Sequence, residues 1–137
     1  EALRQQTKEA GWICHGEYNQ HNVLILKKGT AVTNFGHFRF DVQVADLYRF
    51  MRKILEKYNW DPQLGKDMLK EYDAVRRISP AERENLKIRF LYPEKYWKLA
   101  NYYFSHNKAW ISEKNVEKQR KIIEQKEIWA DFTKKAF

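Results

Sequence analysis

The spacing of apolar positions changes near residue 43, and the two parts of the chain predict different secondary structure. Residues 1–10 are polar and indicate the end of a helix, closed by Gly11 at a C-terminal cap position. Trp12 to Cys14 predicts a short strand that leads into a polar loop at 15–22. The next segments predict a strand, a turn containing Gly29 and a second strand: Val23–Leu26 and Ala31–Thr33.

From residue 43 onwards, apolar residues recur at helical spacing. A first amphipathic helix is predicted over 43–58, and a second from the Asp61-Pro62 start signal to about Arg77. Ser79 opens a third helix through a capping box, and Pro93 interrupts it. A last helix is predicted from Ser112 to about Lys134. The second helix is expected to point these residues inward: Leu64, Met68, Leu69, Tyr72 and Val75.

These elements predict an α+β, mostly helical fold, with a small β-hairpin followed by a helical bundle in one domain over 1–137. The 137 residues are 43% hydrophobic, which favours a folded globule over disorder. Cys14 is the only cysteine, so no internal disulfide can form, a reducing compartment is expected, and Cys14 itself is predicted to be buried. No apolar run reaches the roughly 20 residues that span a bilayer, so no membrane partner is expected.

The net charge of +8 is spread over the helical segments. This charge is consistent with a solvated surface or with attraction to anions such as nucleotide phosphates. Since no nucleic-acid-binding motif accompanies it, a nucleic-acid partner is not expected. A second open question concerns the late aromatic residues, which could form core or line a pocket: Tyr92, Tyr96, Trp97, Tyr102, Tyr103, Phe104 and Trp110.

Candidate chemistry lies in the polar loop and the hairpin that follows it. Phosphotransferase loops place an acidic residue beside the acceptor hydroxyl and, a few positions later, an Asn on the metal. Glu17 and Asn22 have this spacing, and Asn34 returns on the next strand to the same region. Glu17 and His15 are the candidate catalytic residues, with Glu17 as the base and His15 either performing chemistry or bracing the loop through backbone hydrogen bonds. Asn22 and Asn34 would offer amide oxygens to Mg²⁺ and its nucleotide. The alternative is a polar loop without chemistry, since all these residue types are common in loops.

The loop resembles the His-Gly-Asp-x-x-x-x-Asn signature of aminoglycoside phosphotransferases and choline kinases. Nearly the whole chain is similar to the C-terminal lobe of CotS-type spore coat proteins of that superfamily. The similar segments are His15–Leu24, Asn34–His37, Asp46–Lys53, Tyr92–Asn101 and Asn107–Ser112. The resemblance implies the C-terminal lobe of a protein-kinase-like fold, with Asp46 and Asp41 as structural braces. It also implies ATP and Mg²⁺ as cofactors if the site is active, other spore coat proteins as partners, and a location in the bacterial mother-cell cytoplasm and the spore coat.

Two positions depart from that family pattern. Glu17 and Asn34 each stand where the family normally has Asp, so one carboxylate is displaced and one metal ligand loses its charge. The residues before Trp12 offer no phosphate-covering loop and no Lys for the phosphates, so a fragment lacking the N-terminal lobe is expected. The sequence therefore predicts a kinase-like protein with a degenerate site that acts in spore coat assembly through protein interactions. The alternative is an ATP-dependent kinase that phosphorylates a small molecule with a hydroxyl acceptor.

Overall fold

Seven helices, four short strands and one 3₁₀ turn make up the computed structural model, which describes residues 2–105 and 112–137. The strands are β1 (Ile13–Cys14), β2 (Val23–Leu26), β3 (Gly29–Val32) and β4 (Arg39–Phe40), with the 3₁₀ turn at Phe35–His37. The helices are α1 (Ala2–Glu9), α2 (Val44–Leu55), α3 (Pro62–Val75), α4 (Pro80–Leu91), α5 (Glu94–Ser105), α6 (Glu113–Glu124) and α7 (Lys126–Ala136). Trp110 and the segment 107–111 of the last similar motif lie outside the described residues.

The strands form two antiparallel pairs that frame the polar loop. Strands β1 and β4 pair through Ile13 and Phe40, while β2 and β3 pair from Val23 opposite Val32 to Leu26 opposite Gly29. The hairpin turn is thus shorter than predicted, and β3 begins at Gly29 instead of Ala31. Gly29 has a φ of 131°, which glycine adopts without the steric cost that a Cβ would add.

Local start signals place α3 and α4 as predicted. The Asp61 carboxylate accepts a hydrogen bond from Gln63 N at 2.8 Å and caps α3. In α4, Ser79 Oγ accepts from Glu82 N at 3.2 Å while Ser79 N donates to Glu82 Oε2 at 3.0 Å. This reciprocal pair is the predicted capping box. Both helix starts are therefore confirmed.

Helices α2, α3, α4 and α7 enclose the hydrophobic core. Its fully buried members include Met51, Leu55, Leu86, Phe90 and Phe132. Helices α3 and α7 pack closely because α3 carries a glycine at the crossing: a Cβ on Gly65 would lie 2.4 Å from Phe132 Cε2. Cys14 is 2% exposed, which confirms that it is a core residue.

Three sequence predictions about the helices are wrong. Val75 is 92% exposed, because it follows Leu69 by six residues and so leaves the buried stripe of α3. The first amphipathic helix ends at Leu55, and Tyr58 beyond it is 63% exposed. The chain then turns through left-handed conformations at Asn59 and Trp60, with φ values of 50° and 55°. These conformations end the helix before the predicted position.

The third error concerns the end of the chain. The single helix expected from Ser112 is two helices, α6 and α7, which meet at Gln125. This break allows α6 to pack on α5 while α7 turns back onto α3 and α4. For the aromatic residues of α5, the open choice between core and pocket is decided against core, since no residue of that helix is buried. Within the described residues, no helix combines the length and apolar character needed to cross a membrane.

Candidate functional site

The start of the polar loop is held by hydrogen bonds from its backbone N–H groups to a carboxylate on α2. Asp46, in the first turn of α2, accepts from His15 N at 2.6 Å through Oδ2 and from Gly16 N at 3.0 Å through Oδ1. The carboxylate also lies 3.6 Å from Arg49 Nη1. A carboxylate in the first turn of a helix is favoured by the helix dipole. Asp46 thus makes the bracing contacts expected of it and fixes where the loop leaves β1.

Gly16 allows the loop to pass directly under the 3₁₀ turn. Its φ is 83°, and a Cβ built on it would lie 2.0 Å from His37 O. No side chain fits at that distance from a backbone oxygen. The close approach brings the segment that contains Asn34 and His37 onto the loop that contains Glu17.

The ring of His15 connects the loop to β3. His15 Nδ1 accepts a hydrogen bond from Glu17 N at 3.2 Å, and Nε2 lies 2.8 Å from Thr33 O. Since Nδ1 accepts, Nε2 carries the proton and donates to that carbonyl oxygen. The buried ring also contacts Phe35, with centroids 4.8 Å apart. Both ring nitrogens therefore hold backbone groups, so His15 shapes the loop and has no nitrogen left for proton transfer.

The carboxylate of Glu17 is held by two side chains from the returning segment. Asn34 Nδ2 donates to Glu17 Oε2 at 3.2 Å, and His37 Nε2 lies 3.6 Å from Glu17 Oε1. Asn34 has a left-handed backbone (φ 67°, ψ 55°), a conformation that Asn tolerates better than most residues. The Glu17 side chain is 44% exposed, so these contacts form at the surface.

Asn22 closes the loop on itself. Its Nδ2 donates to Glu17 O at 2.8 Å, and its backbone oxygen accepts from Thr33 N at 2.9 Å. The second bond extends the β2–β3 ladder by one position and places Asn22 across from Thr33, the neighbour of Asn34. The structure therefore brings Glu17, Asn22 and Asn34 together, as the sequence predicted.

The donor set that these three side chains could offer to a cation carries a single charge. Mg²⁺ requires oxygen ligands, and charge neutralisation around phosphates is the main contribution of its site. Asn34 Nδ2 donates to the Glu17 carboxylate and Asn22 Nδ2 donates to the Glu17 backbone oxygen, and Glu17 is the one carboxylate among the three. Across the described residues, no cluster of three or more His, Cys, Asp or Glu side chains could hold a metal ion. Asn22 and Asn34 could offer amide oxygens to Mg²⁺, but with one carboxylate the set supplies little of the negative charge that such a site requires.

Asp41 braces the other side of the loop framework. Its Oδ1 accepts from Val42 N at 2.8 Å and lies 3.4 Å from Arg89 Nη2 on α4, while Oδ2 lies 3.5 Å from Arg39 Nε. Burial lowers the pKa of Arg89 below its usual value, and the nearby Asp41 opposes that shift. Asp41 thus connects β4 to α4.

Sequence reasoning assigned no role to His37 or Arg49, although both contact the site. His37 belongs to the Asn34–His37 motif, and its position one helical turn after Asn34 was the signal available. Nothing local connects Arg49 to the loop except its i+3 spacing from Asp46. Tyr18 was also missed; its ring lies 5.3 Å from that of Phe50 and covers the loop from the α2 side.

The fold matches that of a solved phosphotransferase. The aminoglycoside phosphotransferase from Alicyclobacillus acidocaldarius superposes with a TM-score of 0.85 over 96% of this chain and 39% of that chain, at 21% identity. The protein is therefore of the kinase-like aminoglycoside phosphotransferase fold class and corresponds to part of that fold. The predicted fold class is confirmed.

The family follows from the sequence comparison. The model of the family described as "Spore coat putative kinase YutH" matches residues 2–136, and the chain belongs to this family. A curated relative, spore coat protein S of Bacillus subtilis, is 23% identical over 116 residues, which are 83% of this chain and 33% of the relative. The chain thus spans about a third of the length of that relative. The predicted resemblance to CotS-type, kinase-like spore coat proteins is confirmed.

Proposed function

We propose that this protein is a spore coat component whose phosphotransferase site is degenerate, and that it acts in coat assembly through contacts with other coat proteins. It would be made in the mother-cell cytoplasm and become part of the spore coat. The hydrogen bond from Asn34 to Glu17 is the main observation that supports the proposal of a degenerate site. The amide occupies the carboxylate that would otherwise orient an acceptor hydroxyl, and it adds no negative charge for a metal.

Exposed apolar side chains support the protein-interaction role. Ile25 on β2 is 87% exposed, Phe40 on β4 is 61% exposed, and Phe38 just before β4 is 64% exposed. Contiguous exposed apolar residues mark interaction sites, and Leu24, Ile25 and Leu26 are consecutive and exposed on β2. Next to them, Lys27 and Lys28 add positive charge at the hairpin turn. An acidic or amphipathic coat protein would complement this surface.

The degenerate site is tested by calorimetric titration of Mg-ATP into the full-length protein and its Asn34→Asp variant. Asn59→Asp is a matched control, since Asn59 is also exposed and left-handed, with a φ of 50°. We expect no binding to the native protein or to Asn59→Asp, and binding to Asn34→Asp. Micromolar binding by the native protein would contradict the degenerate site.

The interaction role is tested by the amount of protein retained in purified spore coats. Ile25→Lys should reduce retention several-fold, whereas Val75→Lys changes an equally exposed apolar residue, 92% exposed on α3, and should not. Equal retention of both variants would show that the hairpin is not the docking surface.

The alternative function is an ATP-dependent small-molecule kinase acting on a hydroxyl acceptor. The hydrogen bonds that hold the loop favour this alternative, since through them Asp46, Gly16 and His15 keep Glu17 at a defined position. In that case Glu17 would accept the proton of the acceptor hydroxyl. The same titration decides between the two functions, because a kinase must bind its nucleotide.

A further inference from the structure

A cavity of about 460 Å³ lies between α2 and the late helices, and no residue of loop 15–22 lines it. Its volume is within the range of small-molecule sites. The walls are largely aromatic: Trp60, Phe90, Tyr92, Tyr96 and Trp129. Trp60 and Phe90 are buried at its base, whereas Tyr92 and Tyr96 are each 50% exposed. The indole N–H of Trp129 is already bonded to Phe90 O at 2.8 Å, so this wall presents an apolar face.

The first of two carboxylates beside the cavity is fully paired. Glu56 lies 2.8 Å from Arg52 Nη1 through Oε1 and 3.3 Å from Lys95 Nζ through Oε2. Each oxygen therefore has a cation of its own. Such a carboxylate has little capacity to hold a cationic ligand.

The second carboxylate, Glu94, is paired as well. It accepts from the Tyr48 hydroxyl at 3.2 Å, forms an ion pair with Lys98 and lies 3.7 Å from Arg52 Nε. Burial raises the pKa of Glu94, but the hydrogen bond from Lys98 and the charge of Arg52 outweigh burial and lower it overall. Glu94 is therefore ionised and compensated at neutral pH.

One cation beside the cavity, in contrast, remains available to bind a ligand. Lys126 lines the cavity at the first position of α7, and within the described part of the chain no carboxylate lies within 4 Å of its ammonium group. Arg52 and Lys95 are already paired with Glu56 and Glu94, so Lys126 is the one cation of the lining without a carboxylate partner among the described residues. The charged side chains that line the cavity are three cations, Arg52, Lys95 and Lys126, and two anions, Glu56 and Glu94. The cavity thus combines apolar walls with one excess positive charge, on the ammonium group of Lys126.

We propose that this cavity binds a small amphipathic anion, with an aryl or alkyl body between the aromatic rings and a carboxylate or similar acidic head directed to Lys126. Apolar walls with a few polar groups that fix the orientation are typical of small-molecule sites. The same rings would bind an organic cation if the carboxylates were free, but both are compensated. The proposed site is independent of Glu17 and its neighbours.

The experiment measures fluorescence of the full-length protein with 8-anilinonaphthalene-1-sulfonate as an aryl anion, and then competition by decanoate. We expect saturable binding, displacement by decanoate, and no displacement by decyltrimethylammonium, which has the same chain with the opposite charge. Lys126→Glu should weaken binding at least about tenfold, since a charge-assisted contact becomes a repulsion. The variant should fold normally, because an acidic residue in the first turn of a helix is favoured.

Matched variants locate the site. Lys118→Glu makes the same charge change on an exposed position of α6 outside the cavity and should bind like the native protein. Ile123→Trp, at a lining residue that is 63% exposed, should narrow the mouth and weaken binding without disturbing the core. Glu17→Gln should leave binding unchanged. Non-saturable binding, equal competition by the cation, or equal effects of Lys126→Glu and Lys118→Glu would each overturn the proposal.

Discussion

The amide of Asn34 and the carboxylate of Glu17 are hydrogen-bonded at 3.2 Å, although seventeen residues separate them in the chain. Both positions are those at which the phosphotransferase pattern that the sequence resembles has Asp. Two carboxylates at this separation repel each other unless a cation lies between them, whereas an amide and a carboxylate attract. The two departures therefore fit together in one contact that needs no metal.

Asn34→Asp should make the stability of the protein depend on Mg²⁺. The new carboxylate faces Glu17, and at an exposed site we expect a loss of about 1 kcal/mol at neutral pH in a chelating buffer. Added Mg²⁺ should restore stability to the variant and leave the native protein unchanged. Urea unfolding with and without Mg²⁺ measures both effects. A variant as stable as the native protein in chelating buffer would contradict the repulsion, and Asn59→Asp is the control for the substitution itself.

Asp46→Ala should loosen the start of the loop. Two backbone N–H groups, of His15 and Gly16, lose their acceptor, which costs about 2 kcal/mol in unfolding free energy when such groups are partly buried. Hydrogen exchange should show these two amides losing protection selectively. Asp67→Ala, at an exposed carboxylate of α3, should cost about 0.5 kcal/mol or less. Unchanged protection at His15 would contradict the bracing role.

Gly16→Ala should be among the most destabilising substitutions in the chain. The added Cβ meets a backbone oxygen at 2.0 Å, and the φ of 83° is strained for alanine. We expect a loss of about 3 kcal/mol or more by chemical denaturation. Gly11→Ala separates the two causes, because Gly11 also has a positive φ of 66° but no atom within 4 Å of the added Cβ. Gly11→Ala should cost about 1 kcal/mol of stability. Equal losses for Gly11→Ala and Gly16→Ala would show that the clash with His37 O is not the cause of the loss at Gly16.

Stability should fall in acid, in part through Glu82. Burial raises the pKa of Glu82, but hydrogen bonds from Arg76 and Ser79 outweigh it, so the pKa in the folded protein lies below its usual value of 4.5. A lowered folded pKa adds stability above pH 4.5, and this stability is lost as the pH falls through the folded value.

Glu82→Gln tests this contribution by unfolding between pH 7 and pH 3. The variant should lose about 2–3 kcal/mol at pH 7, since Arg76 keeps no charged partner in a largely buried pair. The difference from the native protein should shrink in acid. The matched control is Glu84→Gln, at an exposed position of the same helix, which should follow the native curve. A constant difference across this pH range would contradict the assignment.

Cys14 should be unreactive in the folded protein. Burial, reinforced by the charges of Asp46 and Asp41, raises the pKa of its thiol to about 12. The thiolate is the reactive form, so we expect labelling by a thiol reagent at neutral pH to be at least about a hundredfold slower than in denaturant. Rapid labelling of the native protein would show that β1 opens readily. Labelling that tracks the unfolded fraction would agree with a closed strand.

The sequence by itself determined the elements whose signals are local. Asp61 caps α3 and Ser79 with Glu82 caps α4 because each contact joins residues within three positions of one another. The loop that contains Glu17 and Asn22 was located in the same way, from spacing within eight residues. Local signals alone also led to two wrong predictions: the end of α2 was placed too late, and Val75 was assigned to the core.

Only the tertiary structure decided how the distant parts meet. The register of β2 on β3 places Asn34 on Glu17, the clearance at Gly16 depends on the path of His37, and Asp46 reaches the loop from thirty-one residues away. The break at Gln125 has no breaker residue and exists because α6 and α7 pack on different partners. The cavity beside Lys126 likewise requires α2 and α7 to be adjacent. These features depend on the packing of long-range contacts, which the local pattern of residues does not specify.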